Sequence, residues 1–453
     1  MHRICVLGLG PAAIATAILL KREGYGVEVI GTERVQDAVE GVSWRAVDGL
    51  EKIGISGLRE FLGPRWKRYS AWNDRSIEGN GEYVVNRIAF DKFLYKSLKK
   101  YSIPVCKARV ENVSDIEGKI YVVKDSDCCG REVSEQCYDF LVDARGRGSP
   151  KKIRNESEGP ISLALTRRYC NGHIYGDFRT YSEPFENGWA WVTHDQFGCG
   201  SIQIVIDPKY INVFDGDFRN LTDSLFKNLT YINKCVGPDI VFKDAVIVRG
   251  IRPVLRGELV SSRTVCVGDA CYSGDPLSGH GIYEAISGSF AALAVINTII
   301  RRPDSALIAK NYYVDRARQI FMSRINVAQE FYSMERRWAS SGFWVDRFEQ
   351  FDKMFSNAKT NITFPVFVNR PVVEYGYVVE RRVALSKNNI RGVRFIDGVD
   401  LACLYDEIKQ FSNGVSLKEL CHKFGVTKYS VMNAIKWLFL NKFLPDFKII
   451  SDM

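Results

Sequence analysis

Close to the start of the chain stands Gly8-Leu9-Gly10-Pro11-Ala12-Ala13, between an apolar run from Arg3 to Leu7 and a helical run from Ile14 to Lys21. Gly24 closes the helix, and Val27-Glu28-Val29-Ile30 reads as the next strand. Strand, tight turn, helix and strand within about 30 residues form a βαβ unit. Gly8 permits the tight turn, and Gly10 lets the backbone approach a pyrophosphate. Ala13 and Ala17 are small enough for the helix to pack on the strands. Phosphates then sit at the helix N-terminus, where free N–H groups and the helix dipole favour anions. The expected dinucleotide-binding set is Gly8, Gly10, Pro11, Ala12 and Ala13. The acidic residue that usually ends the second strand and binds the ribose is replaced by Gly31, which leaves Glu33 as the candidate.

A second glycine-rich stretch follows much later. Thr264 to Val267 reads as a buried strand running into Gly268-Asp269-Ala270. Then come Asp275-Pro276-Leu277-Ser278-Gly279-His280-Gly281-Ile282 and a helix with small residues at Ala285, Ser287, Gly288, Ala291 and Ala292. Together the two stretches resemble the paired FAD motifs of the hydroxylase-type flavoprotein monooxygenases, a superfamily that includes the flavin-dependent tryptophan halogenases. The resemblance covers roughly residues 1–330.

The resemblance implies FAD, and it implies roles by position. Gly268 and Asp269 meet the ribityl and pyrophosphate region, and Pro276 lies beside the flavin ring. Gly279, Gly281 and Ile282 bring the start of a helix to the flavin N1/O2 edge, where reduced flavin carries negative charge. His280 stands where relatives often have Gln or Ser, as a cofactor-side residue and a catalytic candidate. Asn86-Arg87-Ile88-Ala89-Phe90-Asp91 resembles the family's arginine-bearing segment, so Arg87 is expected at FAD. Asp143-Ala144-Arg145-Gly146 resembles its Asp-Ala-Thr-Gly turn, with Arg145 in place of Thr.

Between Gly148 and Arg249 the pattern becomes that of strands, at Ser162 to Thr166, Gly188 to Thr193 and Ser201 to Ile206. In this family such an antiparallel sheet covers the substrate. Trp189 and Trp191 lie on one face of a strand, either as packing or as an aromatic wall near the flavin, and His194 follows as an ionisable candidate. The halogenases have Trp-x-Trp-x-Ile-Pro here. This chain has Val192-Thr193-His194 after its tryptophans, shows no Gly-Glu-x-Thr-x-Pro, and offers no counterpart of the halogenases' catalytic lysine. Hydroxylation is therefore expected over halogenation. Reduced flavin and molecular oxygen supply the electrophilic oxygen, and the protein has to position an electron-rich ring and exclude water.

From Val327 to Phe355 aromatic residues recur at helical spacing. After Pro371 short strands precede three expected helices with N-cap residues Asp400, Ser416 and Thr427. That outline suggests a winged-helix-like module. Its last helix carries only Lys428 and Lys436 as basic residues, a poor basis for phosphate contacts. Strands followed by three helices resemble the leader-peptide recognition modules of enzymes that modify ribosomally made peptides, which add a peptide strand to a sheet edge. A dimerisation module remains open.

The expected fold class is α/β. A discontinuous FAD-binding Rossmann-like domain (1–150 and 245–325) carries an antiparallel substrate sheet (151–244), a helical extension (326–370) and the winged-helix-like module (371–453). The nearest functional type is the flavoprotein tryptophan hydroxylases that build tryptophylquinone cofactors. Expected partners are a protein or peptide substrate, molecular oxygen, and NAD(P)H or a partner flavin reductase. The alternatives are a halogenase or monooxygenase of free aromatic molecules, and a flavin-bound DNA-binding regulator.

Composition supports a packed protein, with 46% apolar and 25% charged residues in 453. The formal charge of +9 comes from scattered basic residues, without a basic tail, so no nucleic-acid partner is expected. The twelve cysteines contain no CxxC pair, so no metal is expected. No secretory leader and no membrane span is expected either, which points to the cytoplasm.

Overall fold

The computed structural model describes all residues except 127–131, 151–154, 173–177, 195–196, 215, 357–362, 411–415 and 445–453. The adjacent Cys128 and Cys129 lie outside the described residues. The chain divides into two compact units: residues 1–296 with 313–358, and residues 297–312 with 359–453.

The first unit is built on a parallel sheet of five strands, in the order Thr264–Cys266, Phe140–Asp143, Arg3–Leu7, Gly26–Ile30 and Val105–Cys106. Ile4, Cys5, Val6 and Leu7 are fully buried, as expected of a strand covered on both faces. The first helix, Pro11–Arg22, is buried from Pro11 to Leu20, so it lies inside the fold and not on its surface. A three-stranded antiparallel sheet (Arg109–Ile116, Lys119–Ser126, Glu132–Tyr138) packs on the parallel one. Ile120, Val122 and Tyr138 there meet Cys5, Leu7, Ile30 and Leu141.

The second layer is an eight-stranded mixed sheet. Its order is Val241–Ile251, Ser162–Cys170, Gly200–Ile206, Gly188–His194, Phe178–Phe185, Trp66–Trp72, Arg75–Asn86 and Val39–Ser43. It differs from the expected sheet in two ways. Three strands come from residues 39–86, outside the 151–244 span, and Phe178–Phe185 pairs in parallel with Trp66–Trp72. Such pairings join strands far apart in sequence, so no local pattern announces them.

Alternation gives this sheet two characters. On one face Leu165, Tyr169, Ala190, Val192, Ile202, Ile204 and Ile206 form a core with the helices Phe218–Lys227 and Thr230–Val236. Burying each of the Leu, Val and Ile side chains contributes about 1.5–3 kcal/mol. Glu183 supports the second of these helices by accepting the N–H groups of Thr230, Tyr231 and Ile232 at 2.8, 2.9 and 2.7 Å. The opposite face carries Thr166, Arg168, Trp189, Trp191, Ser201 and Gln203.

The helix Gly281–Arg301 is long and apolar enough to cross a membrane, contrary to the sequence expectation, and 78% of its apolar window is buried in the fold. Its small residues let it pack closely. Gly49 of the helix Trp44–Ile53 comes so near that a Cβ there would stand 2.8 Å from Ile286.

The second unit has a three-stranded antiparallel sheet (Val366–Glu374, Tyr377–Ser386, Asn389–Val393), a short hairpin, and helices Leu401–Gln410, Leu417–Phe424 and Lys428–Leu440. Val399, Leu401, Leu404, Val431, Ala434 and Leu438 form its core. All three expected caps are present: Asp400 accepts from Ala402 and Cys403, Ser416 from Glu419, and Thr427 from Ser430. The first strand starts before Pro371 and runs through it. It pairs with a single neighbour, and an edge strand tolerates a residue without an N–H.

Candidate functional site

The first motif is held by its glycines. Gly8 has φ +116°, and a Cβ there would lie 2.5 Å from the Ala144 carbonyl oxygen. Gly10 is different, since a Cβ would meet nothing within 4 Å. It caps the Pro11–Arg22 helix without a side-chain hydrogen bond, and the first turn holds no acidic residue. The first-turn N–H groups of a helix have no acceptor within the helix, and with open space beside Gly10 this helix start suits an anion. Gly31 also has a reason: a Cβ there would stand 2.9 Å from the Gly8 backbone, so an acidic side chain at that point is excluded. Glu33 instead pairs with Lys107 at 2.5 Å, and that hydrogen bond lowers its pKa.

The second motif packs directly on the first. Gly268 has φ +66°, and a Cβ there would come within 2.9 Å of the Ala12 methyl. Asp269 pairs with Arg147 at 3.3 Å. The turn Pro276–Ser278 ends at Gly279 in the left-handed region, and a Cβ on Gly279 would stand 3.2 Å from the Arg68 guanidinium. Gly281, which opens the next helix, faces open space. Ile282 is buried. His280 is half-buried, with its ring 6.4 Å from that of Tyr283, and its carbonyl accepts from Glu284.

Arg87 is 7% exposed and sits between Glu40 (2.6 Å) and Asp91 (3.2 Å), while Arg34 holds Asp91 at 2.9 Å. Arg249 is pulled below the ordinary arginine pKa by burial and then by the charge of Arg34, with Arg147 and Arg87 adding to it. Arg34, Arg87 and Arg147 each also pair with a carboxylate, so Arg249 is the member of this group best placed to meet a further anion. Arg145, in place of the family's Thr, closes on Asp143 with two hydrogen bonds of 3.0 and 2.6 Å.

Trp189 is 3% exposed and Trp191 half-buried, on the sheet face opposite the apolar core. His194 is buried but shares its face with Ala190 and Val192. The structure therefore does not bring His194 together with the tryptophans. A small cavity of about 110 Å³ lined by Asp37, Thr166, Arg168, Ser201 and Ile247 opens on the tryptophan face.

Sequence reasoning missed several groups here. Asp275 is buried, accepts from the Leu277 N–H, and lies 3.3 Å from the Tyr332 hydroxyl. Glu284 accepts from Tyr272 at 3.0 Å and from Arg324. Arg347 is 1% exposed and bonds Ser162, Asp207 and two carbonyls. An aspartate directly before a proline in a glycine loop was one available signal. An arginine amid Phe343, Trp344 and Phe351 was another. Among the described residues no group of His, Cys, Asp and Glu is placed to hold a metal.

No family model matches the chain. It is similar to a protein of Marinomonas mediterranea described as an FAD-dependent oxidoreductase, LodB, with 24% identity over 76% of this chain and 95% of that protein. A tryptophan 2-halogenase of Chondromyces crocatus is 23% identical over 76% of this chain and 70% of its own length. Among solved structures, the flavin-dependent halogenase CmlS shares the fold, with TM-score 0.77 and 17% identity over 97% of this chain and 95% of its own. The chain is similar to members of the flavin-dependent halogenase/monooxygenase superfamily and is an FAD-dependent oxidoreductase. It is similar from end to end to the peptidyl tryptophan dihydroxylase QhpG, with TM-score 0.77 and 28% identity over 98% of this chain and 99% of that one.

Proposed function

We propose that the chain hydroxylates an aromatic side chain, tryptophan, within a protein or peptide. The observation that carries this reading is the sheet face bearing Trp189 and Trp191, on which Arg68, two strands away, stands at the Gly279 turn. An aromatic, hydroxyl-lined wall beside the cofactor turn suits an electron-rich ring. QhpG, by its description, acts on peptidyl tryptophan in tryptophylquinone cofactor biogenesis. The halogenase lysine and Gly-Glu-x-Thr-x-Pro segment have no counterpart here, which favours oxygen over halogen transfer.

Bound FAD, once reduced and supplied with oxygen, provides the electrophilic oxygen. The residues of the chain do the rest. Gly10, Pro11, Ala12 and Ala13 receive the pyrophosphate, with Gly8 setting the turn and Arg87 supplying charge. Gly268 and Asp269 hold the ribityl region. Pro276, Gly279, His280, Gly281 and Ile282 would hold the flavin ring, with the helix start at Gly281 favouring its negative charge when reduced. Trp189 and Trp191 exclude water and orient the substrate ring. The electrons come from NAD(P)H or a partner reductase.

The second unit fits a winged-helix-like, peptide-binding module. Its edge strand Val366–Glu374 has one paired side, and the helix Lys428–Leu440 exposes Tyr429, Met432, Phe439 and Leu440. An exposed apolar helix face and an open strand edge within one unit suit an extended peptide better than a phosphate backbone.

The test is intact-mass analysis of polypeptides encoded beside this gene, co-expressed with the chain or with Asp269→Ala. Oxygen gained on a tryptophan only with the intact chain supports the reading. Turnover of free aromatic compounds with every neighbouring polypeptide unmodified contradicts it.

A further inference from the structure

Asp275 lies at the start of the Pro276–Ser278 turn and is 5% exposed. One carboxylate oxygen accepts the Leu277 N–H at 2.9 Å, and the other accepts the Tyr332 hydroxyl at 3.3 Å. Tyr332 is 2% exposed, with Phe343, Trp344 and Phe351 at ring distances of 6.1, 5.7 and 5.6 Å. The Trp189 indole faces the same hydroxyl. Its Nε1 is buried and reaches no partner at ordinary hydrogen-bond geometry. The three side chains thus run from the tryptophan wall of the sheet to the turn that ends at Gly279.

We propose that Asp275 and Tyr332 are positioning residues for the flavin ring: the carboxylate–phenol pair fixes the Pro276–Gly281 turn relative to the Trp189 wall and so sets the spacing between ring and substrate. The proposal rests on the FAD assignment and not on the identity of the substrate. Asp275 also provides a spectroscopic handle. Burial raises its pKa to about 6, against the lowering effects of the Leu277 N–H, Arg347, Tyr332 and Arg147. A carboxylate that changes charge beside the ring perturbs the absorption of oxidised FAD.

The experiment is a titration of the FAD-loaded chain from about pH 8 to about pH 5, followed in the visible flavin bands, for the wild type, Asp275→Asn and Tyr332→Phe. FAD content and melting temperature are recorded alongside. The wild type shows a spectral step with its midpoint near 6, and Asp275→Asn abolishes it. Tyr332→Phe removes a hydrogen bond to the charged form, so its midpoint moves up by roughly half a unit to one unit. A flat wild-type titration, or the same step in Asp275→Asn, overturns the proposal. If Asp275→Asn does not fold, Tyr332→Phe decides: an unmoved midpoint overturns the proposal and a raised one supports it. Loss of peptide hydroxylation with the step intact contradicts only the substrate reading.

Discussion

The hydroxyls of Thr16 and Ser289, 273 residues apart in the chain, lie 2.9 Å from each other, and both are fully buried. Thr16 reaches the Ala12 carbonyl at 2.7 Å, and Ser289 reaches it at 3.2 Å. The helix that follows the first cofactor motif is therefore stitched to the helix that follows the second. Ser289→Ala removes both hydrogen bonds that Ser289 makes across this seam and costs about 1–2 kcal/mol. Ser289→Leu overpacks it, costs about 1–3 kcal/mol, and lowers bound FAD by prising the motifs apart. Thermal melts and FAD absorbance per protein check both outcomes.

The two glycines of the first motif differ in what a side chain would meet. Gly8→Ala drives a methyl into the Ala144 carbonyl at a positive φ, so it lowers the melting temperature with or without FAD. Gly10→Val places its side chain in open space, where the pyrophosphate is expected. It leaves the apo-protein melt near wild type and weakens FAD retention at least tenfold, a difference of about 1.4 kcal/mol. Equal effects of the two substitutions on the apo-protein would contradict this division.

Arg347 holds Ser162, Asp207 and the carbonyls of Ile161 and Phe343 while stacked 3.7 Å over the Phe343 ring. Arg347→Met leaves those acceptors buried without their donor. A loss of roughly 3–5 kcal/mol in urea unfolding is expected. A loss within the range of a surface substitution, below about 0.5 kcal/mol, would show that the network carries little.

Trp191 and His194 lie on opposite faces of one strand, so they separate in experiment. Trp191→Ala lowers turnover and weakens substrate binding while FAD content stays at the wild-type level. His194→Gln disturbs the apolar core, lowers the melting temperature, and leaves the pH profile of turnover unchanged. A pH profile that loses a limb in His194→Gln would restore His194 as a catalytic group.

The glycine turns of the expected cofactor site were legible because they answer local steric demands. Gly8 and Gly268 are fixed by positive φ and close neighbours, and such demands leave a mark at short spacing. The capping residues Asp400, Ser416 and Thr427 were legible for the same reason. The substrate half was less so. Strands from residues 39–86 enter the sheet through long-range pairing, and Arg87 meets Glu40 only in the folded chain, although its other partner, Asp91, stands one turn further along the same helix. His194 and Trp191 look alike in sequence, and the pleat alone separates them. Asp275 and Tyr332 were missed because their roles rest on burial and on each other. The membrane-like helix Gly281–Arg301 shows the converse, since its apolar length reflects a central place in the fold.

The most direct measurement is the mass of a modified peptidyl tryptophan after reaction of the purified, FAD-loaded chain with reductant and oxygen-18 gas. The account predicts that every added oxygen carries the heavy isotope and that added chloride or bromide leaves the product mass unchanged. Oxygen drawn from unlabelled water, or a halogen on the ring, would contradict it.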